Sequence, residues 1–351
     1  MNRFLEIVSG RNRGVLAAVA RAGLRVLSWL FGALVMLRGQ LYDRGILPSR
    51  SAPGPVLCVG NLTAGGTGKT PLVESVARHL MSAGHRVAIL GRGYGASEAG
   101  QLNDELMLLR DNLAGAIVIA DRDRERGARE AFEAGADVIV MDDGFQHRRL
   151  RRSLDIVAID AANPFGFGHL LPRGLLREPA SALRRAGAVV ITRCDRGDAS
   201  SLEKIERAVR TASGPIPIVR SEHRPVEIVA PSGEALPIAS ARGRRVFAFA
   251  GLANNEAFFE TVREAGAELV GQRSFPDHHA YDGEEVWALV REAEALNADW
   301  ILTTQKDAVK LRERSGSEAI YWLRITLCFI GEPTDLWKRI ESVVGKGVSI
   351  S

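Results

Sequence analysis

The chain of 351 residues predicts an α/β fold: a doubly wound, mostly parallel sheet with helices on both faces, an N-terminal helical segment, and a second, smaller α/β lobe. Apolar runs of strand length alternate with helical stretches, glycine outnumbers proline by 36 to 14, and a glycine-rich turn joins the first strong strand to a helix. Such alternation argues for parallel pairing, since a parallel crossover needs a helix to carry the chain back. With 46% hydrophobic and 25% charged residues, a packed core is available, and disordered or collagen-like classes are excluded.

The first forty residues differ from the rest. Between Arg25 and Arg38 lies an uncharged run of 12 residues, Val26 to Leu37. At about 1.5 Å per residue this reaches about 18 Å, short of the roughly 30 Å hydrocarbon layer. Neither a spanning helix nor a cleavable leader is expected, because no small-residue cleavage site follows. Arg3, Arg11, Arg13, Arg21, Arg25 and Arg38 flank Trp29, Leu30 and Phe31, the composition of a helix lying in an anionic bilayer surface.

After Pro48, residues 54–61 form an apolar strand, and Arg86–Arg92, Asp137–Met141, Asp155–Asp160 and Ala188–Thr192 repeat the pattern. Helical stretches at Pro71–Ala83 and Asp123–Ala134 separate them. Two further strand-like pieces, Ile216–Glu222 and Pro225–Val229, lead into a Gly/Pro/Ser-containing stretch ending near Gly243. A second α/β run starts at Val246, with a helix near Asn255–Ala265, a strand at Trp300–Thr304 and a helix at Thr334–Val344. The expected divisions are residues 1–40 for the helical segment, 41–223 for the core, 224–245 for a linker or ribbon, and 246–351 for the second lobe.

The strongest local signal is Gly60-Asn-Leu-Thr63-Ala64-Gly65-Gly66-Thr67-Gly68-Lys69-Thr70-Pro71, set between strand and helix. Small residues let successive backbone N–H groups converge on phosphate oxygens. A lysine reaches the outer phosphates, and a hydroxyl meets Mg²⁺. The core is therefore expected to be P-loop NTPase-like, although Thr63 stands where the first glycine of the usual pattern would be. An apolar strand ending in Asp142 and Asp143 supplies the carboxylate that a metal–phosphate site needs. Side chains alternate along a strand, so one acid is expected at the metal and the other beside it.

Arg148, Arg149, Arg151 and Arg152 follow within ten residues of Asp142, together with His147, and guanidinium groups grip phosphate through fork geometry. Net charge is only +4, with no aromatic interleaving, so no nucleic-acid partner is expected. Cys58, Cys194 and Cys328 are widely spaced, without a CxxC pair, which suits a reducing cytosol. Two acceptors for the phosphoryl group stay open: a hydroxyl, giving a kinase, or water, giving a nucleotide switch. Thr192-Arg-Cys-Asp195 and Thr304-Gln-Lys-Asp307 loosely resemble guanine-reading text, which keeps a GTPase as the alternative.

The chain resembles the tetraacyldisaccharide 4′-kinase family, the lipid A kinases of Gram-negative bacteria. The resemblance rests on GNLTAGGTGKTP, GRGYG at 91–95, NDE at 103–105, DDGFQHRRLRR, DIVAIDA at 155–161 and NPFGFGHLLPRGLLREP at 163–179. FAGLANNEAFF at 249–259, FPDHHAY at 275–281 and TTQKDAVKL at 303–311 complete it. Thr63 belongs to that family's own pattern, whereas Asn103 stands where Gly is usual and Gln305 where Glu is usual.

The resemblance implies transfer of the γ-phosphoryl group of ATP, with Mg²⁺, to the 4′-hydroxyl of a tetraacylated glucosamine disaccharide 1-phosphate. The product would be lipid IVA, made by a monomer at the cytoplasmic face of the inner membrane. It implies Asp104, beside Glu105, as general base, with Lys69, Asp143 and His279 completing the catalytic set; His278 stays open as the histidine near the phosphates. Thr70, Asp142 and Asp143 would hold the metal, and Glu105, Arg148, Arg149, Asn163, Arg173 and Arg177 would meet substrate.

Overall fold

A computed structural model describes residues 3–12, 14–93, 102–312 and 314–345. Arg13, Tyr94 and Gly95, which the sequence reading singled out, lie outside the described residues. Helices α1 (Arg3–Val8) and α2 (Val15–Asp43) precede β1 (Val56–Asn61), α3 (Lys69–Ser82), β2 (Val87–Gly91), α4 (Asp104–Asn112), β3 (Ile117–Ala120) and α5 (Arg124–Glu133). There follow β4 (Val138–Asp142), β5 (Leu154–Asp160), β6 (Ala188–Thr192), α6 (Ala199–Ser213), β7 (Ile218–Val229) and β8 (Ala235–Pro237). The chain then forms β9 (Arg245–Ala250), α7 (Asn255–Glu264), β10 (Glu268–Ser274), α8 (Gly283–Ala295), β11 (Trp300–Thr304), α9 (Gln305–Leu311), β12 (Ile320–Ile330) and α10 (Thr334–Val344).

The chain divides into two compact units, the second comprising Leu102–Asn112 and His223–Leu327. In the first unit the strand order is β3-β2-β4-β1-β5-β6-β7, all parallel, as the strand–helix alternation predicts. The central strands are buried on both faces, so they read as continuous apolar runs. In β1 and β4, Val59 lies opposite Asp142, which brings the carboxyl ends of these strands to one edge of the sheet. That edge, where the chain leaves β1 in one direction for β2 and leaves the neighbouring β4 in the other for β5, is the ligand crevice of open α/β sheets.

The second unit has its own parallel set, β10-β9-β11-β12, around a core containing Phe247, Phe249 and Phe259. Three differences from the sequence expectations concern boundaries. The pieces expected on either side of Arg224 form one strand, β7, whose end pairs antiparallel with β8, so the stretch from 224 onward begins as a ribbon. Helix α4 belongs to the second unit, because Leu106 and Leu109 are buried there and Asn112 exchanges two amide hydrogen bonds with Gln305. Helix α10 belongs to the first, burying Leu336, Ile340 and Val344 and stacking Trp337 on His79 of α3 at 4.1 Å.

Helix α2 runs for 29 residues, uninterrupted by Arg21 and Arg25. Charged side chains on one face cost a helix little, so the 12-residue limit expected from the uncharged run does not hold. By length and composition, α2 is the one helix among the described residues capable of crossing a membrane. One face of it is fastened to the first unit. Ser28 donates to the carbonyl of Leu170 at 2.9 Å, Gly32 lies so close that a Cβ would meet Leu170 at 2.8 Å, and Arg148 reaches both Gly39 and Asp43. The other face exposes Val26, Leu30, Leu34 and Leu37, spaced at helical intervals, together with Trp29.

Candidate active site

Contacts within the fold fix the start of the glycine-rich turn. A Cβ at Gly60 would fall 2.6 Å from the Cβ of Phe145 and 2.9 Å from its backbone nitrogen, so glycine is required where β1 meets the turn after β4. Asn61, fully buried, donates to the carbonyl of Thr63 at 2.7 Å. Thr63 bridges to Leu176, and the Ala64 N–H donates to Leu175 at 2.7 Å. The Ala64 amide, expected among the phosphate contacts, is thus spent on the fold.

Past this point the loop opens. Gly65 has φ +108° and Gly68 φ +75°, and a Cβ at Gly65 or Gly66 would meet nothing within 4 Å. The carbonyl of Gly66 accepts from Arg193, and that of Thr67 accepts from the Thr192 hydroxyl at 2.8 Å. In a trans peptide C=O and N–H point oppositely, so these ties aim the N–H groups of Thr67 and Gly68 away from the sheet. Helix α3 starts at Lys69 and adds the free amides of its first turn, where Pro71 costs nothing because its N–H would have no helical partner. The Thr67 hydroxyl is buried with no protein partner.

Beside the loop, Lys69 Nζ lies 3.7 Å from Asp143, and Arg177 Nη1 lies 2.9 Å from both Asp143 oxygens. Burial works to raise the Asp143 pKa, but Lys69 and Arg177 outweigh it and hold the carboxyl below its usual range. Asp143 adopts φ +49° just past β4, which turns it toward Lys69, while Asp142 ends the strand with its side chain buried. Thr70, Asp142 and Asp143 offer hard oxygen donors, the ligand type of Mg²⁺. Among the described residues no group of three or more His, Cys, Asp and Glu forms a protein-only metal site. The donor set therefore suits a Mg²⁺ that takes its remaining ligands from phosphates and water.

The basic run after Asp143 is mostly structural. Arg148 bonds Gly39 and Asp43 and packs over the Tyr42 ring at 5.0 Å, pinning α2. Arg152 forms a two-pronged pair with Asp155 and donates to the carbonyls of His147 and Leu150. Arg149 lies 3.4 Å from Glu125 with its side chain largely in solvent, and Arg151 is exposed. The expected clamp of neighbouring arginines is not assembled, because alternate residues of an irregular turn point to different elements. Burial and the surrounding arginines push the His147 imidazole down to about 4. Arg173 ties the carbonyl of Val8, and Asn163 accepts from the Phe167 amide, so both shape loops, whereas Arg177 is held at Asp143.

The second unit holds the other set of candidate groups. Asp104 begins α4, where helix N-termini favour negative charge, and Asn103 before it caps the helix by accepting from the Leu106 amide at 3.1 Å. That cap is a physical reason for asparagine at this departure from the family text. His278, at φ +61°, places Nδ1 2.9 Å from Asp104 Oδ2. Burial raises the Asp104 pKa, but the His278 hydrogen bond and the charge of Lys306 prevail and lower it. The same hydrogen bond raises His278, against burial and Lys306. Glu105 is the next residue of α4, half-buried, and its amide donates to Asp104.

His279 does not reach Asp104. It stacks on Phe275 at 4.7 Å, meets Tyr281 edge-on and bonds Glu285 at 3.1 Å, so the histidine of this stretch at the expected base is His278. Asp307 is fully buried and takes the Gly251 amide, the Thr304 hydroxyl and Lys310. Buried and committed to these internal contacts, it is not presented to a guanine edge, which removes one of the two GTPase resemblances. Lys306 and Asp277, beside His278, were not assigned a role from sequence, although the family text quoted both.

The family model for tetraacyldisaccharide-1-P 4′-kinase, LpxK, matches residues 20–345. The chain belongs to this family. A tetraacyldisaccharide 4′-kinase of Anaeromyxobacter sp. (strain K) is 45% identical, over 92% of this chain and 89% of the relative. One from Geobacter sulfurreducens is 40% identical, over 87% and 88%. Among solved structures, the "apo" form of Aquifex aeolicus LpxK, crystallised in complex with ATP, matches with a TM-score of 0.76 and 29% identity. That match covers 93% of this chain and 99% of the other. The protein is accordingly a kinase, built on the α/β fold that the strand order displays.

Proposed function

We propose that this kinase transfers the γ-phosphoryl group of ATP to the 4′-hydroxyl of a tetraacyldisaccharide 1-phosphate. The observation that carries the mechanism is the Asp104–His278 pair: a switch that hydrolyses nucleotide on water has no need of a carboxylate oriented by an imidazole for an incoming alcohol. In the first unit, amides of Thr67 and Gly68 and the first turn of α3 cradle the phosphate tail, and Lys69 lies against the outer phosphates. Mg²⁺ held by Thr70 and Asp142 or Asp143 would neutralise charge that accumulates on the phosphoryl oxygens.

Asp104 takes the hydroxyl proton as the new O–P bond forms and the bond to the ADP oxygen breaks. His278 orients that carboxylate. Purified enzyme given γ-labelled ATP and the disaccharide lipid is expected to place label on the lipid. Nucleotide hydrolysis that leaves the lipid unlabelled, with preference for GTP, would overturn this reading.

The substrate carries four acyl chains, so the enzyme must work where the chains are anchored. The exposed apolar face of α2, opposite the face fastened to the first unit, supports in-plane seating at the cytoplasmic face of the inner membrane, with the exposed Arg25 near anionic headgroups. Each apolar side chain withdrawn from water contributes roughly 1.5–3 kcal/mol. Replacing Leu30 and Leu34 by aspartate should therefore weaken binding to anionic vesicles more than about tenfold in a co-sedimentation assay. Unchanged binding would show that another surface anchors the protein.

A further inference from the structure

The imidazole of His278 lies between two carboxylates. Its Nδ1 is 2.9 Å from Asp104 Oδ2, and its Nε2 is 3.8 Å from Asp277 Oδ2. Left to these two acids alone, the ring would favour a proton on each nitrogen and exist as imidazolium. An imidazolium bound to Asp104 stabilises the carboxylate and weakens it as a base. Lys306 changes the balance. Its Nζ is 2.9 Å from Asp277 Oδ1, 3.4 Å from His278 Nε2 and 3.8 Å from Asp104 Oδ2. An ammonium donates three hydrogen bonds and accepts none, so its approach to Nε2 is favourable only when that nitrogen presents a lone pair.

We propose that Lys306 is a positioning residue that opposes the second protonation of His278 and keeps its Nδ1–H directed at Asp104, leaving Asp104 as the group that accepts the substrate proton. The proposal rests on the reading of Asp104 as general base. The lysine is itself fixed in place. It sits in the first turn of α9, which is capped by Thr304 and Asp307 and joined to α4 through the Gln305–Asn112 amide pair. Its side chain is 18% exposed, and the charges of Asp104 and Asp277 keep it protonated against the opposing effect of burial. Other charged groups facing this cluster are Glu105 from α4 and Lys310 from α9. A compact ammonium suits the role, because a planar guanidinium would need a different approach to satisfy Nε2 and Asp277 together.

Full-length Lys306→Met and Lys306→Arg enzymes test this. ¹⁵N-histidine spectra, with His278 assigned through a His278→Asn variant, should show a protonated Nδ1 and an unprotonated Nε2 in the native enzyme above the pH at which the ring loses its second proton. In Lys306→Met, Asp277 is released to His278, and the ring should take its second proton at higher pH. The Asp104–His278 pair titrates as a unit, and its proton uptake sets the acid limb of kcat/KM. That limb should move up by about one pH unit, equivalent to a tenfold loss at a fixed pH on the limb, with KM for ATP unchanged. Lys306→Arg, which keeps the charge, should recover part of the shift.

A native His278 whose neutral ring carries its proton on Nε2 would overturn the proposal, whether or not the methionine variant folds. So would a Lys306→Met enzyme with the native acid limb and native histidine spectrum. Asp104→Asn separates the two readings: if it retains full activity, the base assignment itself fails, whereas an inactive Asp104→Asn beside an unaltered Lys306→Met refutes only the role of Lys306.

Discussion

Lys69→Ala is expected to lower kcat for phosphoryl transfer by about 10²–10³-fold or more, the range seen when a preorganised charge partner of a transition state is removed. Lys69 is the first residue of α3, immediately after the left-handed Gly68, and its side chain is 11% exposed. In the proposed reaction its ammonium offsets charge that grows on the transferring group, so the loss is expected on kcat. The fold should survive, because Asp143 keeps both of its 2.9 Å contacts with Arg177 and no unpaired buried carboxylate is left behind. Single-turnover transfer from labelled ATP, with a thermal melt as control, measures both. Native turnover in a folded variant would remove the glycine-rich turn from the reaction.

Asp104→Asn should reduce kcat by about 10²–10⁴-fold, the contribution typical of a positioned general base. The amide keeps the shape and the oxygen that accepts from Glu105, but it cannot take up the hydroxyl proton. KM for ATP should change little, since the amides proposed to bind phosphate belong to the other unit. The same carboxylate makes stability depend on pH. Its folded pKa is lowered, so it contributes stability above the unfolded value and loses that contribution as pH falls through the folded value. The melting-temperature advantage of the native protein over Asp104→Asn should therefore shrink below about pH 4, near the ordinary aspartate value. An undiminished advantage in acid would show that the carboxylate is not stabilised as read.

Both predictions concern residues whose type and context were legible in the sequence. A phosphate loop is a local device: strand, small residues, lysine and helix start lie within a dozen positions, so its text and its geometry coincide. Asp142 and Asp143 were legible for the same reason, at the end of an apolar strand. The helix of the first forty residues was legible in character but not in length, because Arg21 and Arg25 interrupt an apolar run without interrupting a helix.

The arginines show where local reading stops. Arg148 and Arg152 look equivalent in the text, yet one reaches back to Asp43 and the other forward to Asp155, contacts that depend on what the fold brings near. His278 and His279 are adjacent, and only the backbone turn at φ +61° sends one to Asp104 and leaves the other stacked on Phe275.

The sequence alone determined the parallel α/β core, the phosphate loop, the paired acids and, through its motifs, the family. These follow from periodicity and from chemistry carried by neighbouring residues. The tertiary structure decided which histidine meets Asp104, which arginines are spent on holding α2 and the turn after β4, and that α4 sits with the second unit. It also decided that Lys306 stands beside His278. Each of those outcomes joins positions far apart in the chain, where distance, burial and competing hydrogen-bond partners exist only once the chain has folded.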